Sequence, residues 1–272
     1  QALLEVREAE ERHPGSARDV LCELIDRSPG IEEIDRAAPG GDLRVPFLNR
    51  ATTCPGLSPE LRAAIDAAIL KSDPAHGPAV LREARRLSSQ KRDDEAQALL
   101  EAALERDPND ANVWAALIRV QLSAGNVERA KASLDRAAAT GLQSRPLTQS
   151  QARVEAALGR TDDMRATISR LRGQARGDAR LIAASFMLEG ELEASLGNVD
   201  EALAAYEAAD VANPKAPALR RAADLALDSG RPSYAIRLYR TLCSRQPDGS
   251  ACAAEARLAK EPRKPPPARP IP

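Results

Sequence analysis

Gly125-Asn126-Val127-Glu128-Arg129-Ala130 recurs in this chain as Gly197-Asn198-Val199-Asp200-Glu201-Ala202. Related copies begin at Gly159 and around Gly230, and a weaker copy begins at Lys91. Gly125 and Gly159 are 34 residues apart. Self-similarity at a period of this size is the mark of a repeat architecture, in which each copy is one supersecondary unit.

Each copy has the residues that typically begin and end the two helices of a helical hairpin. The glycine ends one amphipathic helix, and a polar or acidic residue opens the next. The second helix then ends at a polar residue followed by proline, as in Asp107-Pro108, Asn213-Pro214 and Gln246-Pro247, because proline cannot continue a helix. The pattern predicts five helix-turn-helix units followed by a capping helix, over 77–110, 111–144, 145–178, 179–215, 216–249 and 250–261.

Small and large residues alternate in one register along the second helices. The small–large–small pattern reads Ala96, Leu100, Ala103; then Ala130, Leu134, Ala137; then Ala202, Tyr206, Ala209; and finally Ala235, Tyr239. With Trp114 and Leu117 in a first helix, this pattern resembles the tetratricopeptide (TPR) family. The resemblance implies an all-α solenoid of stacked TPR-like repeats, wound as a right-handed superhelix, whose first helices line a groove for a protein partner.

The resemblance has departures. Lys91 stands where the family has its turn glycine, and Met164 and Leu171 replace both alanines of the 145–178 unit. We expect that unit to be packed more loosely or rotated.

Composition agrees with a helical scaffold. Aromatic residues make up only 2% of the 272 residues, so the core must be built from Leu, Ile, Val and Ala at close helix–helix distances. The net charge is -1, which gives no electrostatic reason to expect nucleic acid or an anionic membrane as partner. No stretch approaches the about 20 apolar residues of a membrane span.

No catalytic or metal-binding motif is apparent. A catalytic site needs a convergent acid, base or nucleophile, and neither His13 nor His76 stands in a recognisable motif. Phosphate-loop, dinucleotide and metal-ligand spacings are absent as well. We predict that the chain is not an enzyme and binds no cofactor or metal.

The ends of the chain are less regular. Residues 1–76 are predicted to form an irregular helical segment, with helices over 16–27 and 58–71 and a loop at about 39–57. The array follows over 77–261, and 262–272 is proline-rich and basic, as expected for a flexible tail. The chain starts at Gln1 inside an apparent helix, from which we expect that upstream sequence has been removed.

The four cysteines permit two disulfides. Cys243 would end one helix and Cys252 begin the next, close enough for a bridge, and a Cys22–Cys54 bridge would pin the predicted loop to the preceding helix. The alternative is four small buried thiols. Two bridges would indicate an oxidising compartment such as a bacterial periplasm; otherwise a cytoplasmic location stays open.

One constellation suggests a binding surface. The residues six positions before each turn are Arg85, Arg119, Arg153, Glu191 and Asp224. In the TPR family this position faces the groove, so the resemblance implies a row of three arginines followed by two acids, with Arg82 joining the first part and Arg220 and Arg221 near the last. Such a row suits an acidic or C-terminal carboxylate ligand. Solvated charges paired with neighbouring acids are the alternative.

Two functional hypotheses follow. The chain is a scaffold that binds a peptide or protein within a multiprotein bacterial envelope complex, or it is an accessory TPR domain of a larger enzyme or polysaccharide or secretion machine. The chaperone-binding TPR subclass is disfavoured because the asparagines that accompany its basic clamp are missing from the neighbouring positions.

Overall fold

The computed structural model describes residues 2–15, 18–26, 30–215, 217–245 and 249–260. Within these ranges the regular structure is helical, and no strand is found. The predicted all-α solenoid fold is therefore confirmed. The helices are α1 (Ala2–Arg12), α2 (Arg18–Asp26), α3 (Ile31–Ala37), α4 (Arg44–Ala51), α5 (Pro59–Ser72), α6 (Gly77–Ser89), α7 (Asp93–Arg106), α8 (Ala111–Ser123), α9 (Val127–Ala139), α10 (Arg145–Ala157), α11 (Thr161–Gly173), α12 (Ala179–Ser195), α13 (Val199–Ala212), α14 (Ala218–Asp228), α15 (Pro232–Arg245) and α16 (Ser250–Lys260).

The helices from α6 onward come in pairs. Each of the five predicted repeat units contains one pair, from α6 and α7 to α14 and α15, and α16 follows the last pair. The chain divides into two compact units, residues 1–150 and 151–272, and the division falls within α10. Successive helices pack together in most of the array, as from α6 to α9 and from α11 to α16, as expected when a hairpin can bury its apolar face only against its neighbours.

The turn between the helices of each pair requires a left-handed residue. The turn glycines have φ of 76° at Gly125, 71° at Gly159, 81° at Gly197 and 75° at Gly230. Lys91 takes the same conformation with φ of 60°, although residues other than glycine rarely adopt it. The repeat geometry therefore overrides the local preference of the lysine, and the departure at this turn leaves the hairpin intact.

Most of the small and large residues of the second helices lie in the core as their register predicts, although Leu134 is only half-buried. Ala96, Ala130, Ala202 and Ala235 are fully buried, and Tyr206 is 4% exposed. The 145–178 unit is not loosened by its larger residues. Met164 and Leu171 are buried, and they pack in one cluster with the side chains Ala152, Ala156, Ile168, Leu188 and Leu192.

The N-terminal region corrects one prediction. The loop expected at about 39–57 is wrong over 41–51, where a 3-10 turn (Gly41–Leu43) leads into α4. Pro46 lies in the first turn of α4, where a backbone N–H has no acceptor within the helix and its absence costs nothing. Phe47 and Leu48 of α4 are fully buried in a core shared by α1 to α5.

Two disulfides join the four cysteines. Cys22 of α2 is bonded to Cys54 after α4 with a Cα–Cα distance of 5.1 Å, and Cys243 of α15 is bonded to Cys252 of α16 with a Cα–Cα distance of 4.8 Å. The expected flexible tail at 262–272 lies outside the described residues.

Candidate partner-binding surface

Two of the predicted surface arginines lie in the unit of residues 1–150. Arg85 on α6 and Arg119 on α8 occupy equivalent positions of successive first helices, and both side chains are exposed. Helix α6 packs directly against α8. Arg119 is the single charged residue in the sequence of α8. Each of the two packed helices therefore carries an exposed arginine at the same position of its repeat.

Arg82 does not join this surface as the sequence suggested. Its Nε donates to both carboxylate oxygens of Asp66 at 3.0 Å, and its Nη2 donates to Asn49 Oδ1 at 3.1 Å. Asp66 is only 3% exposed. Because a buried carboxylate needs a charged partner, Arg82 serves to hold α4, α5 and α6 together.

The other three predicted residues lie in the unit of residues 151–272. Glu191 of α12 forms an ion pair with Arg221 of α14, Oε1 to Nη1 3.0 Å. Arg153 of α10 is half-buried; this burial lowers the pKa of its guanidinium group, and the charge of Glu191 opposes the shift. Glu191 therefore stands between two arginines, and opposite charges compensate one another on this part of the surface.

Asp224 belongs to a separate group on α14 and α15. Its carboxylate accepts a hydrogen bond from the Tyr239 hydroxyl and lies 3.5 Å from Arg220 Nε. Burial, followed by the hydrogen bond to Asp224, raises the pKa of Tyr239 to about 12. At neutral pH Tyr239 is therefore a hydrogen-bond donor, and Asp224 is its acceptor.

The ion pair of Arg221 with Glu191 and the burial of the Tyr206 and Tyr239 rings were not predicted from the sequence. Tyr206 is buried beside Gly190 of α12, and burial raises the pKa of Tyr206, with the charge of Glu191 acting in the same direction. The sequence signal for these rings was the large residue nine positions after each turn residue. It is Leu100 and Leu134 in the early units and tyrosine in the last two.

The histidines have structural explanations. His76 precedes α6, and its Nδ1 accepts a hydrogen bond from the backbone N–H of Ala79 at 3.4 Å, as a helix N-cap does. Burial lowers the pKa of His76, which keeps that nitrogen free to accept. His13 is exposed just after α1.

The described residues contain neither a metal-binding cluster nor a membrane-spanning helix. No group of three or more His, Cys, Asp or Glu side chains in that part of the chain could hold a metal ion. None of its helices combines the length and apolarity that crossing a bilayer requires.

A tetratricopeptide-repeat family model matches residues 63–117 and 87–154. No curated protein sequence matches the chain. Among solved structures, a tetratricopeptide repeat protein from Parabacteroides merdae ATCC 43184 is similar with a TM-score of 0.61 and 14% identity, covering 95% of this chain and 98% of that one.

Two further structures share the fold. PilW, described as a widely conserved type IV pilus biogenesis factor, has a TM-score of 0.52 and 16% identity over 88% of this chain and 98% of its own. The Cut9–Hcn1 hetero-tetramer of the APC/C gives 0.55 and 16% over 95% of this chain and 49% of that one. Residues 63–154 therefore match tetratricopeptide repeats, and the chain as a whole has an all-α helical-repeat fold.

Proposed function

We propose that this chain is a protein-interaction scaffold that binds an acidic peptide or protein segment along its first helices, without catalysing a reaction itself. The observation that carries the proposal is the exposure of Arg85 and Arg119 on two helices that pack side by side. A partner lying across α6 and α8 would meet both guanidinium groups in succession.

The side chains explain the preference for an acidic partner. A guanidinium group binds a carboxylate through two parallel hydrogen bonds, which fixes orientation as well as charge. Arg82 and Arg86 also lie on α6, but Arg82 is held by Asp66, and Arg86 forms an ion pair with Glu83. The predicted recognition depends on Arg85 and Arg119 because both are exposed at equivalent positions of successive first helices.

The region after residue 150 is proposed to contribute differently. Arg153, Glu191 and Asp224 lie among opposite charges and tyrosines, so this stretch favours a partner of mixed polarity. Paired charges at an interface contribute more to specificity than to affinity, because mismatched partners leave them unpaired.

Charge reversal on α8 tests the scaffold proposal. We expect Arg119→Glu to reduce retention of the partner at least about tenfold, because each carboxylate that met an arginine would meet a like charge. The measurement is affinity capture with the full purified chain, followed by quantitative mass spectrometry of the retained proteins. A direct titration with the recovered partner then gives the change in Kd.

Arg129→Glu on α9 is the matched control. Arg129 is also exposed, and its replacement changes the net charge equally, but it lies on a second helix. This variant should retain the partner within about twofold of the unmodified chain, since an exposed rim charge contributes little. Equal retention by both variants would remove the first-helix surface from the proposal.

We further propose that the complex belongs to a bacterial envelope. Two disulfides are typical of an oxidising compartment, and PilW, with the same fold, is by its name a pilus biogenesis factor. Protein from its native cells, alkylated before extraction, should weigh about four mass units less than the reduced chain, because each disulfide removes two hydrogens. Alkylation of all four cysteines would place the protein in a reducing compartment.

A further inference from the structure

The last helix, α16, packs on α15 through a short apolar contact. It is eleven residues long, and Ala251 and Leu258 are its buried apolar side chains, with Ala254 partly buried against the same core. A helix of this length is marginal on its own and depends on packing for its stability. Two small contact regions are a weak basis for ordering the whole segment.

The polar contacts of α16 are exposed. Arg240 Nε lies 2.8 Å from Glu255 Oε1, and the Arg240 side chain is 69% exposed. Arg220 Nη1 donates to Ser250 Oγ at 2.9 Å, again at the surface. Exposed pairs of this kind contribute little, because water competes for both partners.

The Cys243–Cys252 disulfide constrains the position of α16 covalently. It joins α15 to α16 across nine residues of sequence. Closing a loop of about that length shifts an equilibrium by on the order of 10- to 100-fold. The bond therefore adds a covalent constraint of this size to the packing of α16 on α15.

The two disulfides differ in how deeply they lie. In the first bridge Cys54 is 2% exposed in the core of α1 to α5 and Cys22 is half-buried, whereas in the second bridge Cys243 and Cys252 are both half-buried. A reducing thiolate must reach a sulfur atom to attack it, so accessibility governs which bridge reacts first.

We propose that the Cys243–Cys252 bridge is a redox-sensitive device that controls the docking of α16. A dithiol reductant attacks one sulfur as the thiolate and forms a mixed disulfide, and its second thiolate then closes the reductant into a disulfide. Two electrons pass to the protein sulfurs, which leave as thiolates and take up two protons. Released α16 uncovers apolar side chains of α15 that share its core, Leu238 and Tyr239 among them.

The test is a titration of the full native chain with dithiothreitol, sampled by thiol alkylation and by hydrogen exchange. We expect Cys243 and Cys252 to be alkylated at lower dithiothreitol concentrations than Cys22 and Cys54. Backbone amides of α16 should then exchange at least about tenfold faster, while those of α12 and α13 keep their rates. Prior or simultaneous reduction of Cys22–Cys54, or an α16 that stays protected after its bridge opens, would overturn the proposal.

A variant gives an independent measurement without reductant. Cys243→Ser combined with Cys252→Ser should show fast exchange in α16 from the outset, with α14 still helical by its own protection. Native protection of α16 in this double variant would also overturn the proposal.

Discussion

Arg82→Ala should destabilise the N-terminal unit by about 3–5 kcal/mol, because it leaves the carboxylate of Asp66 buried without its charged partner. Asp66 is 3% exposed and receives hydrogen bonds from Arg82 Nε at 3.0 Å and from Arg82 Nη2 at 2.6 Å. The loss also removes the hydrogen bond from Arg82 to Asn49. Helices α4, α5 and α6 lose their shared polar contact together.

Urea unfolding followed by tryptophan fluorescence measures this effect. Trp114 is the one tryptophan in the sequence, and it is buried in the unit of residues 1–150, so its emission reports on that unit. Arg86→Ala is the control on the same helix, since Arg86 pairs with the half-buried Glu83 three residues away within α6 and joins no other helix through that pair. We expect this control to change stability by less than about 1 kcal/mol.

A second variant separates the ion pair from the burial of its atoms. Replacing Arg82 and Asp66 together by leucine should be less destabilising than Arg82→Ala, because no uncompensated charge stays in the core. If Arg82→Ala and Arg86→Ala had equal effects, the buried pair would not be a structural element of this unit.

The repeat register was predictable because local and tertiary requirements coincide. Each turn needs a left-handed residue, and glycine is favoured there, so Gly125, Gly159 and Gly197 mark the hairpins in the sequence itself. Buried alanines such as Ala130 allow close helix packing and recur at the same offset. A pattern that repeats can be recognised even where one copy departs from it, as at Lys91.

The N-terminal region was less predictable because it has no repeats. Proline and glycine between Pro39 and Gly56 indicated a loop, yet proline is tolerated in the first turn of a helix, and α4 forms there. The missed helix also hid Asn49, one of the groups that hold Arg82.

Charge pairing on the candidate surface could not be derived from spacing alone. Glu191 and Arg221 are thirty residues apart in sequence (191 to 221), and only the packing of their helices brings them within 3.0 Å. The row of equivalent positions was visible in the sequence, but whether each charge meets water or a partner depends on the neighbouring repeat. The same holds for Gly190, whose role depends on one ring of the following helix.

Gly190→Ala should destabilise the C-terminal unit by roughly 1–3 kcal/mol, although alanine is the better helix former. A Cβ at Gly190 would lie 2.6 Å from Tyr206 Cε1 and 2.7 Å from Cδ1. Tyr206 is 4% exposed, so its ring has little room to move away. Glycine is a poor helix former, but at this position it allows the two helices of the pair to approach each other over the Tyr206 ring.

Gly173→Ala provides the opposite expectation. Gly173 ends α11, and no atom lies within 4 Å of the place its Cβ would take, so this variant should be neutral or stabilising by up to about 1 kcal/mol. Hydrogen exchange of α12 and α13 amides measures both variants, because it reports on this unit separately from the N-terminal one.

Replacing Tyr206 tests whether its ring causes the destabilisation expected for Gly190→Ala. The 77–110 unit has Ala84 and Leu100 at the positions of Gly190 and Tyr206, counted from its own turn residue. Gly190→Ala in a Tyr206→Leu background reproduces that combination, and we expect it to cost nothing there, since the clash with Cε1 and Cδ1 is gone. An equal loss in both backgrounds would show that the glycine is required for a reason other than Tyr206, and the packing of α12 on α13 would need a different explanation.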